Sequence, residues 1–365
     1  MKMKKSQPAP EPQIDDVEDG AETLRSGMGG PTIREVAALA EVSIGTVSRV
    51  LSGSVPVSLA LSKRVSRAAQ DLGYVARPRQ RGAAQDRAAR MISCYVSDLS
   101  NLLYGYVVSA AEERLAQLGY TLLVANTHNE ARREDELLSL LRNDVVEGAI
   151  ISFGEETRPS LGADLARAGV PAVILDRQAP DGIDCVSVDH YGGALRACSY
   201  LLELGHRRIG MVTASARVLP GQRRIAAFCD AYRRLGLAPP LHLIRTECAT
   251  ADAAFAETTR LCSGEGRPTA LLTLGSQALG GTLRAIRGLG LSIPEDISVI
   301  CFGDTEMAKV VSPTITCVHW DRFQLGRQAV DMLTNRIRHR FTDARSIVLP
   351  CEIILRQSCS SPRAE

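Results

Sequence analysis

The spacing of apolar residues in this 365-residue chain changes twice. Residues 1–30 show no periodicity at all. The run "QPAPEPQIDDVEDGAE" is rich in Pro, Gly, Asp and Glu and too poor in apolar side chains to order itself, so it is expected to be a disordered extension. From 31 to 75 the apolar residues recur at helical spacing, which predicts three short helices. Thr32 and Glu35 have the spacing of a capping box for the first, with Val36, Leu39 and Ala40 turned inward. Glu41 and Val42 make a tight turn. Ser43 then caps a second helix over 44–51, held by Val47, Val50 and Leu51. A third runs over about 58–72 with Leu61, Val65, Ala68, Ala69 and Leu72 inward, and Gly73 ends it. Residues 76–90, "ARPRQRGAAQDRAAR", lack large apolar side chains and read as a hinge or linker.

From 91 the pattern alternates. Strand-like apolar runs ("MISCYV" 91–96, "YTLLVAN" 120–126, "VEGAIIS" 146–152, "PAVILD" 171–176) are separated by amphipathic helical stretches. The cycle continues through "RRIGMVT" 207–213, "LHLIRT" 241–246, "TALLTL" 269–274 and "DISVICF" 296–302. Such alternation builds βαβ units and parallel sheets with helices on both faces. "PAVILD" is apolar on both faces, as a buried parallel strand must be. There are too many units for one doubly wound sheet. The fold class expected is therefore an all-α helix-turn-helix domain followed by a two-lobed α/β domain with two doubly wound parallel sheets.

Composition sharpens this picture in one place. Overall charge is +2, but residues 31–90 hold ten Lys/Arg against four Asp/Glu, a surplus of six, which leaves the remainder at −4. A basic block beside a near-neutral body points to a polyanion partner for the block alone. The ten cysteines include no Cys-x-x-Cys pair and are expected as reduced core thiols. No run of 18 apolar residues is present, and the N-terminal lysines have no apolar stretch behind them. Neither a membrane span nor a signal peptide is expected, and cytoplasmic residence is the default.

Two short helices joined by a tight turn, with a third packed on them, describe a helix-turn-helix. Ile44, Gly45, Ser48 and Arg49 share the face of the second helix opposite Val47 and Val50. Small residues there let the helix lie deep in a major groove. Arg49 is long enough to meet guanine O6 and N7 together. Thr32, Ser43 and Thr46 complete the candidate DNA-contacting set of this unit.

At these residues the sequence resembles a known family. "TIREVAALAEVSIGTVSRVLSG" and "AAQDLGY" are similar to the DNA-binding start of the lactose repressor/galactose repressor (LacI/GalR) family of bacterial transcription regulators. The likeness continues through "VDHYGGA", "LLELGHRRIGMV", "IPEDISVICFGD" and "VHWDRFQLG", covering about 31–355. It implies a homodimer that binds palindromic double-stranded operator DNA, with a small effector between lobes like those of periplasmic sugar-binding proteins. The implied division is 31–75 for DNA binding, 76–90 for the hinge and 91–360 for effector binding and dimerisation. Within the last, the first lobe takes about 91–189 and 320–346, and the second about 190–319 and 347–360.

Two departures from the family pattern bear on function. Family hinges commonly carry a leucine that wedges into the minor groove after a basic residue. Here Arg81 fits the basic position, but Gly82 and Ala83 stand where the wedge belongs, which predicts weaker operator bending. After "TALLTL" the family often has Asn-Asp, whereas this chain reads Gly275-Ser276-Gln277. The resemblance places Arg224 and Asp304 among effector contacts and Asp176 or Arg177 at the cleft wall. Asp98, Ser100, Asn101 and Tyr104 are candidates for the first-lobe rim, Ser276 is a further candidate effector contact, and Trp320, the single tryptophan, falls near a lobe crossover, where it either stacks on a sugar face or packs. With an acidic position lost and two arginines kept, the pocket leans toward a sugar acid or sugar phosphate, with neutral sugars and nucleobases as the open alternatives.

No nucleophile elbow, phosphate loop or metal-spaced His/Asp cluster is present, so no catalytic residue, metal or cofactor is expected. The main alternative is a solute-binding receptor, which the body alone would support. The attached head argues against it. The tail "RQSCSSPRAE" has no leucine heptad, so no C-terminal coiled coil is expected.

Overall fold

The computed structural model describes residues 31–52, 59–72, 74, 90–141, 145–154, 160–339 and 343–363. The extension 1–30 and the hinge positions Arg81 and Ala83 lie outside them. The chain divides between residues 78 and 79 into two compact units.

The small unit is three helices, α1 (Ile33–Leu39), α2 (Ile44–Ser52) and α3 (Leu59–Asp71). The capping box forms. The Thr32 N–H donates to Glu35 Oε2 at 2.5 Å, and the Glu35 N–H donates to Thr32 Oγ1 at 3.4 Å. Such caps contribute about 1 kcal/mol. The core is Val36, Ala37, Ala40, Val47, Val50, Val65, Ala68 and Ala69. Leu39, expected inside, is instead 52% exposed. At 100° per residue the buried face of α1 centres on Val36, Ala37 and Ala40, and Leu39 falls well off it.

The large unit carries two six-stranded sheets. The first contains β1 (Arg90–Val96), β2 (Tyr120–Asn126), β3 (Gly148–Ser152), β4 (Ala172–Leu175), β5 (Asp184–Val188) and β11 (Ser346–Leu349). Its order is β11-β5-β4-β3-β1-β2, all parallel. The second contains β6 (Ile209–Val212), β7 (Ile244–Arg245), β8 (Ala270–Leu274), β9 (Ser298–Phe302), β10 (Thr316–His319) and β12 (Glu352–Ile354). Its order is β12-β10-β9-β8-β6-β7, with β12 antiparallel. Stripped of β11 and β12, the two orders are the same doubly wound pattern. In each, the direction of winding reverses beside the first strand, where such sheets leave a crevice at the strands' carboxyl ends.

Three crossovers join the lobes. The first leads from β5 into α7 (His190–Glu203), the second from β10 into α12 (Arg322–Arg338), and the third from β11 into β12. The third falls later than the 346/347 boundary expected from sequence. Ile347, Val348 and Leu349 still pair with Val186, Ser187 and Val188 of the first sheet. α12 returns to the first lobe and packs on α4 (Leu102–Gln117). Gly326 makes that approach possible, because any side chain there would meet the Val107 carbonyl. "LHLIRT" forms only a two-residue strand, after a single 3-10 turn at 241–243. Pro239 and Pro240 lack the N–H groups that would extend the ladder, and their carbonyls take up Leu241 and Leu243 instead.

All described cysteines are free thiols, and burial pushes Cys94 up to about 12. Among the described residues no helix is long and apolar enough to cross a membrane, and no three His, Cys, Asp or Glu gather to hold a metal.

One buried charge fixes the far end of the first lobe. Asp184 accepts from Arg336 Nε at 2.8 Å, from Arg336 Nη2 at 2.7 Å and from the Arg345 N–H at 2.7 Å. Removing one partner of a buried pair strands the other. Asp184→Ala is expected to lower unfolding free energy by about 3–5 kcal/mol, read from urea denaturation. A loss below about 1 kcal/mol would mean that this pair does not tie α12 to the sheet.

Candidate functional site

The candidate DNA-reading surface is the outer face of α2. Ser43 accepts from the Thr46 N–H at 3.1 Å and its hydroxyl meets the Thr46 hydroxyl at 2.8 Å, so both are drawn into the cap. Thr32 is likewise engaged by Glu35. Ile44, Gly45, Ser48 and Arg49 are exposed, while Val47 and Val50 are buried beneath them. An isoleucine that is 46% exposed on a helix otherwise lined by small polar side chains is an apolar group available to a base-edge methyl. Arg49 Nε donates to the Gly45 carbonyl at 3.1 Å. That bond holds the side chain along the helix, toward its N-terminal turn.

The second candidate lies where the carboxyl ends of the two sheets face one another. On the first lobe Tyr104 is buried, and its hydroxyl meets Ser97 Oγ at 2.9 Å and Ser152 Oγ at 2.8 Å. Arg177 joins them, donating to the Tyr104 hydroxyl at 3.2 Å and to the Phe153 carbonyl at 2.6 Å. Asn101 caps α4 by accepting from the Leu103 N–H. Asp98 accepts from the Ser100 N–H and hydroxyl, forming a tight turn at the rim. The Ser100 carbonyl accepts from Gln277 Nε2 of the second lobe at 2.7 Å, closing the rim. Ser276 precedes α10 (Gln277–Gly288) and makes no side-chain cap.

At the crossovers lies a buried chain of charges. Asp176, at a positive φ of 52°, accepts from the Val188 N–H at 3.2 Å and contacts His190 Nε2 at 2.8 Å. His190 Nδ1 lies 3.2 Å from Arg224 Nη2, on α8 (Leu219–Arg234). The Arg224 guanidinium stacks over Phe302, 4.7 Å from the ring centroid. Trp320 stands edge-on to His190, with ring centroids 5.9 Å apart. Gly221 lets α8 begin against the Ser215 carbonyl, which sets where Arg224 falls. Arg224 Nε and Trp320 Nε1 are buried donors without a protein partner, and the Thr127 and Thr213 hydroxyls at strand ends are unpartnered too.

Burial pushes the His190 pKa down; Asp176 pulls it back up and Arg224 opposes, with a net lowering. Burial also pushes Asp176 up, but the hydrogen bond from His190 and the charges of Arg177 and Arg224 hold it below the ordinary carboxylate value. Burial brings Arg224 down to about 10.

Asp304 is not part of this chain. It accepts from Arg356 Nη2 at 2.6 Å and lies 3.8 Å from Lys309. Burial raises its pKa, yet the Arg356 bond and charge leave it lowered overall. Its carboxylate is thus already paired. The structure brings together Tyr104 with Arg177, and Asp176 with Arg224 and Trp320. It leaves Asp98, Ser100 and Ser276 at the rim and Asn101 in a cap. Sequence reasoning passed over His190, Gln277 and Arg356. His190 could have been found, because "VDH" ends a strand toward the same crevice as "ILDR".

Comparison with known proteins supports both halves. Residues 32–76 match the family described as bacterial regulatory proteins, lacI family, and residues 198–359 match a periplasmic binding protein-like domain. The chain is 26% identical to the HTH-type transcriptional repressor CytR of Escherichia coli strain K12, over 90% of this chain and 96% of that protein. Its fold is similar to that of the transcriptional regulator CelR in complex with cellobiose, with a TM-score of 0.68, 27% identity, and 90% and 99% of the two chains covered. It is equally similar to the lac repressor dimer bound to operator and the anti-inducer ONPF, with a TM-score of 0.68, 26% identity, and 91% and 100% covered.

The lowered His190 pKa has a sign for stability. The unfolded chain takes up its proton near pH 6.5 while the folded chain resists, so His190's contribution is complete above that pH and is lost as pH falls below it. Tm of the wild type is expected to drop on going from pH 7 to pH 5.5, and the drop is expected to be smaller in His190→Gln. Equal drops in the two proteins would show that His190 is not a destabilising proton acceptor.

Proposed function

The chain belongs to the lacI family of bacterial regulatory proteins, and we propose that it is a cytoplasmic homodimeric repressor whose operator affinity is set by an anionic, carbohydrate-derived effector held between the lobes. The observation that carries this reading is the pairing of two parts on one chain: an exposed reading helix in a basic head, and an interlobe crevice with buried, unsatisfied donors. A solute-binding receptor has no use for the first part. An effector that changes the relation of the lobes changes the spacing of two DNA heads, and by linkage DNA changes effector affinity equally.

The effector class follows from which groups remain open. Asp304 is occupied by Arg356, whereas Arg224 Nε and Trp320 Nε1 can only donate. A ligand that satisfies them brings acceptors, so a sugar acid or sugar phosphate fits better than a neutral sugar such as the cellobiose of CelR. Tight calorimetric binding of neutral sugars with none of sugar acids would sink this part of the reading.

The dimer surface proposed is the free edge of the first sheet. Among the described residues no strand pairs with the outer side of β2, and Leu123 and Val124 are 42% and 39% exposed along it. Apolar residues on an open strand edge favour pairing with a second copy. Leu123→Asp with Val124→Lys is expected to convert the dimer to a monomer in sedimentation, and an unchanged mass would place the interface elsewhere.

DNA selection tests the head. The purified protein is expected to enrich a roughly palindromic site from random or genomic DNA. Arg49→Ala is expected to bind that site about 1–3 kcal/mol more weakly, roughly 5- to 150-fold, with relaxed preference at one base pair. No enrichment even at low salt would refute the sequence-specific reading.

A further inference from the structure

The buried chain Asp176–His190–Arg224 has an ordering of protons that geometry alone dictates. A guanidinium has no acceptor, so at 3.2 Å the His190 Nδ1 facing Arg224 Nη2 must present its lone pair. Asp176 is a carboxylate held by the Val188 N–H, so the proton of His190 sits on Nε2 and is donated to Asp176 at 2.8 Å. The imidazole is therefore neutral and in one tautomer. It also spans the molecule's division: Asp176 ends a strand of the first lobe, while Arg224 lies on α8 of the second. The groups that face it are Asp176 and Arg177 from the first lobe, Arg224 from the second and Trp320 from the second crossover. Cys351 of the third crossover feels the charges of both Asp176 and Arg224.

With Nη2 against His190 and the guanidinium carbon 4.7 Å over the Phe302 ring, the Arg224 side chain is held at two points. Its unsatisfied Nε–H is then held in one direction rather than swept through several. We propose that His190 is a positioning residue of the effector cleft: as a neutral bridge it holds the Arg224 Nε–H ready for an oxyanion and makes that anion's binding sensitive to the link between the lobes. The inference rests on the effector-cleft reading above and adds to it a residue and a protonation state. A glutamine could serve the same two partners with one amide, donating to Asp176 and accepting from Arg224. Alanine cannot bridge at all, and asparagine is too short to reach both.

The single tryptophan makes the site its own reporter, since an imidazolium at its edge quenches indole emission and a neutral imidazole does not. The test uses the full-length protein with inorganic sulfate and acetate as probes, following Trp320 emission. Sulfate is expected to give a saturable change in the wild type. His190→Gln is expected to keep that affinity within about threefold, and His190→Ala and His190→Asn to lose at least tenfold. Emission of the wild type is expected to fall in one step as pH drops below 6.5. Sulfate affinity should change across that step in the wild type and stay flat in His190→Gln. If neither anion perturbs the wild type, the oxyanion assignment fails. If His190→Ala and His190→Asn bind as the wild type does, or His190→Gln fails with them, the bridging role fails. If the affinity of His190→Gln follows pH as the wild type's does, the proton does not reside on His190. Each of these outcomes leaves operator selection by the head unaffected, so a failure here is distinguishable from a failure of the regulator reading. Should His190→Ala not fold, the pH comparison between wild type and His190→Gln decides alone.

Discussion

Two opposite charges, Asp176 and Arg224, are both more than nine-tenths removed from solvent and belong to different lobes. Burying either alone would be costly, and burying both is tolerable only if hydrogen bonds reach them. A single imidazole meets both, and much of the surrounding architecture serves to place it. The first crossover must deliver His190 directly after β5. Gly193, one turn later, lets α7 press against Val318 of β10, just before the second crossover, and Cys351 of the third. Asp176 accepts a left-handed backbone so that its carboxylate turns back toward Val188. Trp320 covers the imidazole edge and packs against Gly303. The three places where the chain passes between lobes thus converge on one polar chain, and a ligand that alters it acts on all of them together.

Around this centre the cleft is asymmetric in its chemistry. Acceptors that could have faced a ligand are consumed: Asp176 by His190, Asp304 by Arg356 and Asp98 by its own turn. Donors remain. That imbalance is a stronger argument about the effector than any one residue, because a buried unsatisfied donor costs about 1–3 kcal/mol until something fills it. The rim contact from Gln277 to Ser100 shows that the lobes can touch across the opening.

Much of this was legible in the sequence where one physical rule governed. The head followed from capping chemistry and helical spacing, and the alternation of apolar runs gave the parallel sheets. β5 did not stand out, because Asp184 interrupts its apolar run, and the partners that make that charge acceptable, Arg336 and the Arg345 N–H, lie about 150 residues away. The pairing of Asp304 was hidden for the same reason: Arg356 sits in a tail that looked featureless, yet its neighbours Ser358 and Ser360 are bonded into the second sheet. His206 likewise reaches Thr269, Ser298 and the Ser360 carbonyl, all more than 60 residues away. Partners distant in sequence are what spacing cannot supply.

The claim on which the account turns is that a neutral His190 joins the two lobes. Histidine-selective 15N labelling, with His190→Gln assigning the signal, reads the state of the ring directly. The account predicts one neutral ring at pH 7, protonated at Nε2 and unprotonated at Nδ1. An imidazolium at that pH, the opposite tautomer, or rapid exchange between the two would contradict it.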